Sequence, residues 1–433
     1  MLNNKIRAVL LYFFYPLSFA TAQSSTLFDS LNIYPLSALS LSEINFNQLK
    51  PFENILNRND VLILSEGGHA DGATYDAQCM IVKGLIEQGK ISTVYTESSW
   101  LNIEKINSIL KKYGKDSINS AEKYISSIEL FYWTRNGFWN YLAEKIINNK
   151  VNLIGIDIET TSSLITVELL NEAMLKDNIF SKNEYKEVIA DLSNPLQWTF
   201  DVNYSEAFYK NSRLFIQFIM QHYSSENNLY KVKQWQRILD YQYFRYYRNF
   251  DNNGFRVLHP FDNGPRETYF NSIRDSVMCD ILLENYTNKN SGKAVLLIAS
   301  YHAMQNSELI EKLDQCCKYN YVKTLGDILS RRNILKFYNI CFVTSSGKRG
   351  TKQDSKKYFY KVKKPKKGSF EDYFSKQKYS YFFTDLESFS AKKTKFFMNP
   401  FNKKYLYADW AKIFSGIFFI KEMYPQDLDK RVQ

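Results

Sequence analysis

The stretch from Val61 to Trp100 restricts the fold more than any other part of this chain. A short apolar run, Val61-Leu62-Ile63-Leu64, leads directly into Ser65-Glu66-Gly67-Gly68-His69. A helix-length segment follows, and a second run, Thr93 to Thr96, ends against Glu97. A strand, a helix and a strand in that order form a βαβ unit, in which the strands run parallel and ligands gather beyond their carboxyl ends. Two further runs, Val151 to Ile156 and Ala294 to Ile298, extend the pattern. The predicted class is therefore α/β, with a mostly parallel central sheet flanked by helices.

Glu66, His69 and Glu97 would share the carboxyl edge of that sheet. Two carboxylates beside an imidazole can select one tautomer, stabilise the imidazolium, or supply three positions of a metal site. The paired glycines allow a sharp turn and a close approach to the main chain that a Cβ would block. An isolated Glu-x-x-His is more often a helix-entry turn whose His packs or caps. The strand before it and Glu97 beyond the next strand shift the balance toward an active-site loop.

The run SEGGHADGATYDAQCMIVKGLIEQGKISTVYTESSW resembles the erythromycin esterase family, whose pattern is Gly-Glu-x-Thr-His-Gly, a helix, and a strand ending in an acidic residue followed closely by Trp. Glu66, His69, Glu97 and Trp100 match that pattern without a gap. ELFYWTRNGFWNYL and NLIGIDIE are similar to the family's Trp-rich helix and Gly-x-Asp strand. IRDSVMCDILLEN and AVLLIASYHAMQN are similar to its Arg-Asp-x-x-Met helix and His-bearing strand end, which brings in Arg274, Ser300, Tyr301 and His302. YFFTDLES and WAKIFSGIFFIKEMYP resemble its closing strands. More distantly the chain resembles the TraB/haem-uptake-like superfamily, which includes metal-dependent peptidases and haem-binding proteins.

The sequence departs from the family at chemically relevant places. Ser65, Gly68 and Ala70 stand where members usually carry Gly, Thr and Gly. Gln78 stands where they commonly carry Arg, and Ser300-Tyr301-His302 supplies a single His where two are typical. Losing an Arg and a His removes transition-state contacts, so the resemblance carries the fold further than it carries the macrolide substrate.

Between the third and fourth strands lies a long insertion, about residues 166 to 290. In it Ser205 to His222 and Leu229 to Tyr247 carry aromatic and apolar residues at helical spacing, expected to form a lobe over the active-site edge. The aromatic stripe from Tyr241 to Tyr247 reads as lobe core. His222 reads as a packing residue and His259, in the Gly- and Pro-rich loop from Gly254 to Arg266, as structural. Arg274 and Asp275 stand on the helix returning to the sheet and could aim an ion pair at the strand ends, although a surface pair of that kind is worth little. The approach from Leu27 to Asn57 is expected to be mostly helical, with Ser40-Leu41-Ser42-Glu43 as a helix entrance.

Lys5 and Arg7 precede the apolar run Ala8 to Ala20, and Ala20-Thr21-Ala22 is a small-x-small site before Gln23. This is the form of a signal peptide spanning residues 1 to 22, and it predicts an exported protein, periplasmic or secreted, with residues 23 to 433 as the mature domain. No later segment reads as a membrane span. The five cysteines, Cys79, Cys279, Cys316, Cys317 and Cys341, cannot all pair within one chain and lack zinc-like spacing. The formal charge of +11 is concentrated between Lys348 and Lys367. Tyr358-Phe359-Tyr360 interrupts that run as a strand would, so a solvated lysine-rich hairpin is expected there, since edge strands use Lys against aggregation. No nucleic-acid partner is predicted.

Neither a phosphate-binding loop nor Gly-x-Ser-x-Gly is present, which disfavours nucleotide chemistry and a serine nucleophile. The resulting expectation is a hydrolase of a small-molecule ester or related carbonyl substrate that uses no cofactor. Its catalytic residues are Glu66, His69, Glu97 and His302, with Gln78, Trp100, Arg274, Ser300 and Tyr301 contacting substrate. His69 would act as general base on water and His302 would polarise the carbonyl or hold the oxyanion. Two alternatives remain: a divalent metal held by Glu66, His69, Glu97 and His302 in a hydrolase or peptidase, and a non-catalytic ligand-binding protein with a degenerate site.

Overall fold

The computed structural model describes residues 27–69, 71–121, 137–158, 266–288, 292–311, 323–353, 356–390 and 394–427. The leader, most of the predicted lobe, His222, His259, Cys316 and Cys317 lie outside them.

The four apolar runs are strands: β2 (Val61–Glu66), β3 (Thr93–Ser99), β4 (Asn152–Asp157) and β5 (Ala294–Ala299). They are mutually parallel in the order β2-β5-β3-β4, with Leu62 opposite Val295 and Val94 opposite Val295 on the other side. Each is apolar on both faces, as a strand covered by helices on both sides must be. β6 (Phe337–Gln353) joins β2 in parallel, and β9 (Gly416–Met423) joins β6. The far edge turns antiparallel through β8 (Tyr381–Asp385) and β1 (Ile33–Leu36).

Alternating side chains feed two cores. Val61, Ile63, Leu296, Cys341 and Phe419 pack with α5 (Arg266–Asn288), α7 (Leu325–Arg332) and α8 (Phe370–Ser375). Leu62, Leu64, Leu297, Phe342 and Phe418 pack on the other face with α1 (Phe46–Arg58), α2 (Gly72–Glu87), α3 (Trp100–Tyr113) and α4 (Phe138–Ile147). The sheet is thus the middle of three layers. No helix among the described residues is long and apolar enough to cross a membrane.

Two expectations need correction. The segment from Leu27 to Asn57 is only partly helical, because Ile33–Leu36 forms the edge strand β1. Ser40 does accept a hydrogen bond from Glu43 N at 3.3 Å, but the turn does not propagate. The helix starts at Phe46 instead, where Asn45 caps by accepting from Asn47 N at 3.1 Å. The lysine-rich hairpin is present: the outer part of β6 folds back on β7 (Lys356–Lys361), pairing Lys348 with Lys361 and Gln353 with Lys356.

Candidate functional site

The carboxyl ends of four parallel strands deliver the charged groups. β2 ends at Glu66, and the turn after it presents His69, whose Nδ1 lies 2.6 Å from Glu66 Oε1. The β3–β4 register shifts between Thr96 and Ser99, so Glu97 leaves the regular pleat at an irregularity; breaks of this kind re-aim a side chain at a strand end. β4 ends at Asp157, and β5 runs into α6 (Ser300–Ala303), which carries His302.

α5 crosses these ends and ties them together. Arg274 grips Asp157 through Nε at 3.0 Å and Nη2 at 2.5 Å, and Nη2 reaches Glu97 Oε1 at 3.1 Å. Asp275 takes His302, with Oδ1 to Nδ1 at 2.6 Å, and its Oδ2 accepts from Leu325 N at 2.8 Å. His302 Nε2 lies 3.3 Å from Glu97 Oε1, while Glu97 Oε2 accepts from Ala299 N at 2.7 Å. Glu97 is therefore held by an arginine, an imidazole and a backbone amide at once.

These contacts fix the charges. Burial alone would raise the Glu97 carboxyl, but His302 and Arg274, with help from His69, outweigh it and hold Glu97 well below the usual carboxylate range. Burial disfavours an imidazolium at His302, yet Asp275 and Glu97 prevail and push it up to about 10. At His69 the same opposition, won by Glu66 with a contribution from Glu97, gives about 9. Both rings are cationic at neutral pH. They differ in access: the His302 side chain is 7% exposed, that of His69 44%.

A small cleft opens beside His69, lined by Glu66, His69, Tyr75, Gln78, Thr96, Glu97, Leu297 and Ile298. Its most unusual atom is Glu66 Oε2, buried without a hydrogen-bond partner. A buried carboxylate oxygen left unpaired is costly, which makes it a ready acceptor for a donor entering the cleft.

Of the residues expected from sequence, Glu66, His69, Gln78 and Glu97 line the cleft, and His302 and Arg274 stand behind Glu97. Gln78 Nε2 donates to the Leu64 carbonyl at 3.0 Å. Ser300 Oγ donates to the Ser65 carbonyl at 3.0 Å, locking α6 to β2. Tyr301 packs edge-on to His302 at 5.2 Å between ring centroids. Trp100 is buried among the core residues on the α5 side of the sheet. Arg274 and Asp275 do aim at the strand ends, each with its own principal partner. The sequence does not mark Asp157 or the His302-orienting role of Asp275 as site features, although Gly155-x-Asp157 and Arg274-Asp275-x-x-Met278 both stand in stretches that resemble the family.

The fit to a metal is poor. Glu97 Oε1 is shared between Arg274 and His302, and both nitrogens of His302 face carboxylates. Among the described residues no group of three His, Cys, Asp or Glu side chains is arranged to hold an ion.

No protein-family model matches the sequence, and no curated protein matches it significantly. Solved structures do. A succinoglycan biosynthesis protein aligns with a TM-score of 0.66 at 14% identity, over 94% of this chain and 98% of that one. A Bacillus cereus protein aligns with 0.67 at 15%, over 95% and 99%. A histidine-to-asparagine mutant of an erythromycin esterase in its open conformation aligns with 0.65 at 13%, over 92% and 98%. The chain thus has an erythromycin esterase-like α/β fold along nearly its whole length.

Proposed function

We propose that this chain is an exported hydrolase, periplasmic or secreted, that cleaves an ester or related carbonyl bond of a small molecule with water, His69 acting as general base. The observation that carries the reading is the short Glu66–His69 contact, 2.6 Å, at the mouth of a cleft whose wall includes Glu97. Glu66 commits Nδ1 and leaves Nε2 for chemistry. In its neutral form Nε2 takes a proton from water, the resulting hydroxide attacks the carbonyl carbon, and the same proton passes to the departing alkoxide as the C–O bond breaks. Glu66 and Glu97 stabilise the imidazolium formed in between. His302, with both nitrogens turned to carboxylates, orients Glu97 in this reading rather than polarising the carbonyl. No cofactor is invoked.

Because His69 rests protonated, with its value near 9, kcat/KM should rise with pH up to that value. The direct test is His69→Ala against a panel of esters. A loss of about 100-fold or more is expected for removal of a general base, and undiminished turnover would reject the assignment. One observation favours a second reading, a binding protein without turnover: Gln78 stands where the resemblance expects an arginine, and its amide is spent on the Leu64 carbonyl. That reading predicts ligand-induced thermal stabilisation with no product.

A further inference from the structure

We infer that Asp71, Arg349 and Asn402 form a clamp that sets the position of His69, and that they are positioning residues for the site; this rests on the reading of His69 as the reacting group. The three come from distant parts of the chain. Asp71 stands at the N-cap position of α2, where an aspartate ordinarily accepts from the first free amides of the helix; here its side chain makes no such bond. Its Oδ2 instead accepts from Arg349 Nη2 at 2.8 Å and from Asn402 Nδ2 at 2.7 Å. Arg349 Nη1 closes the triangle on the Asn402 carbonyl at 3.2 Å. The Asp71 side chain is 2% exposed and that of Arg349 17%, so this is a desolvated, charge-assisted junction and not a surface pair.

The junction lies against the loop that presents His69. A Cβ on Gly67 would stand 2.7 Å from Asn402 Nδ2 and 2.8 Å from the Pro400 carbonyl, and one on Gly68 would stand 3.3 Å from Asn402 Nδ2. Gly72, on the other side, donates to the Tyr424 carbonyl at 3.0 Å, and a Cβ there would meet that oxygen at 2.8 Å. The loop is therefore held on both flanks by the C-terminal part of the chain, and the glycines are what let it fit. The Glu66–His69 contact requires His69 to be placed to within a fraction of an ångström. Strand β2 fixes Glu66, whereas His69 stands three residues beyond it in the turn, and the clamp supplies the constraint that the strand does not.

The experiment replaces Asn402 by Ala and, separately, Arg349 by Gln in the full chain, and follows His69 by NMR titration of its imidazole, identified by its loss in His69→Ala. Asn402→Ala removes no charged side chain and leaves the Arg349–Asp71 pair in place. The expected result is a fall of His69 from about 9 toward its ordinary value by about one pH unit or more. With it should come a drop in kcat of about 10-fold to 100-fold at little-changed KM. An unshifted His69 titration in a folded Asn402→Ala protein overturns the clamp. If Arg349→Gln does not fold, Asn402→Ala alone decides. The titration needs no substrate, so it remains decisive even where ester cleavage proves absent; conversely, a hydrolase that needs His69 but ignores Asn402 loses only the clamp.

Discussion

At the scale of single residues, burial and neighbouring charge pull the groups of the site in opposite directions. His302 illustrates this: buried, it would shed its proton were it not held between Asp275 and Glu97. Its folded-state value, about 10, lies above the 6.5 of an ordinary histidine, so the folded protein binds the proton more tightly than the unfolded chain. The stability this contributes is complete below about 6.5, falls as pH rises between the two values, and is gone above about 10. His69 acts with the same sign over a shorter interval, weakened by its exposure. Glu97 acts oppositely, supporting the fold above its ordinary value and ceasing to do so in strong acid. Denaturant titrations from pH 7 to 10 should therefore show declining stability, with up to about 1.4 kcal/mol per pH unit from each proton involved. A flat profile, or a His302 resonance that titrates at its unperturbed value, would break the assignment. Glu66, His69, Glu97 and His302 were legible in the sequence because each lies within a few residues of the end of an apolar run. Arg349 and Asn402 were not, since they meet Asp71 across 278 and 331 residues, a separation over which local pattern says nothing.

At the scale of elements, legibility followed burial. The strands β2 to β5 stand out because helices cover both faces and their central positions are mostly apolar. β1 was hidden: it contains Pro35 and lies at the sheet edge, where a proline is tolerated because its missing amide costs no ladder bond. The irregularity that aims Glu97 was also invisible, although its partner left a trace in Gly155. A Cβ on Gly155 would stand 2.6 Å from the Ser98 carbonyl and 2.7 Å from that of Ser99, with Ile103 Cγ1 at 2.9 Å. The neighbours are mostly backbone and cannot swing aside. Gly155→Ala should accordingly cost about 1–3 kcal/mol, and under the proposed function it should lower ester turnover as well, because the displaced backbone carries Glu97. Urea unfolding together with a turnover assay checks both. A variant as stable and as active as the parent would show that β3 and β4 part without consequence for Glu97.

At the scale of the whole molecule, the sheet is one continuous wall shared by two cores, and the buried thiols report on each side of it. Cys279 and Cys341 belong to the core with α5, and Cys79 to the opposite one. All three are buried and form no disulfide among the described residues. Burial pushes the Cys279 thiol up to about 12 and raises that of Cys341 well above its ordinary value, so in the folded protein they are poor nucleophiles as well as inaccessible. The cores are not independent, because β2, β5, β6 and β9 each place alternate side chains in both: Ile63 against Leu64, Leu296 against Leu297, Cys341 against Phe342, Phe419 against Phe418. Loosening either layer exposes strands on which the other depends. The three thiols should therefore lose protection together. Pulsed alkylation over a urea series, read residue by residue by mass spectrometry, should give one midpoint for Cys79, Cys279 and Cys341. A midpoint for Cys79 well below that of the other two would mean that the α1–α4 layer opens first and that β2, with Glu66 at its end, survives without it. In that case the support for His69 would come from the C-terminal segment and the α5 layer alone.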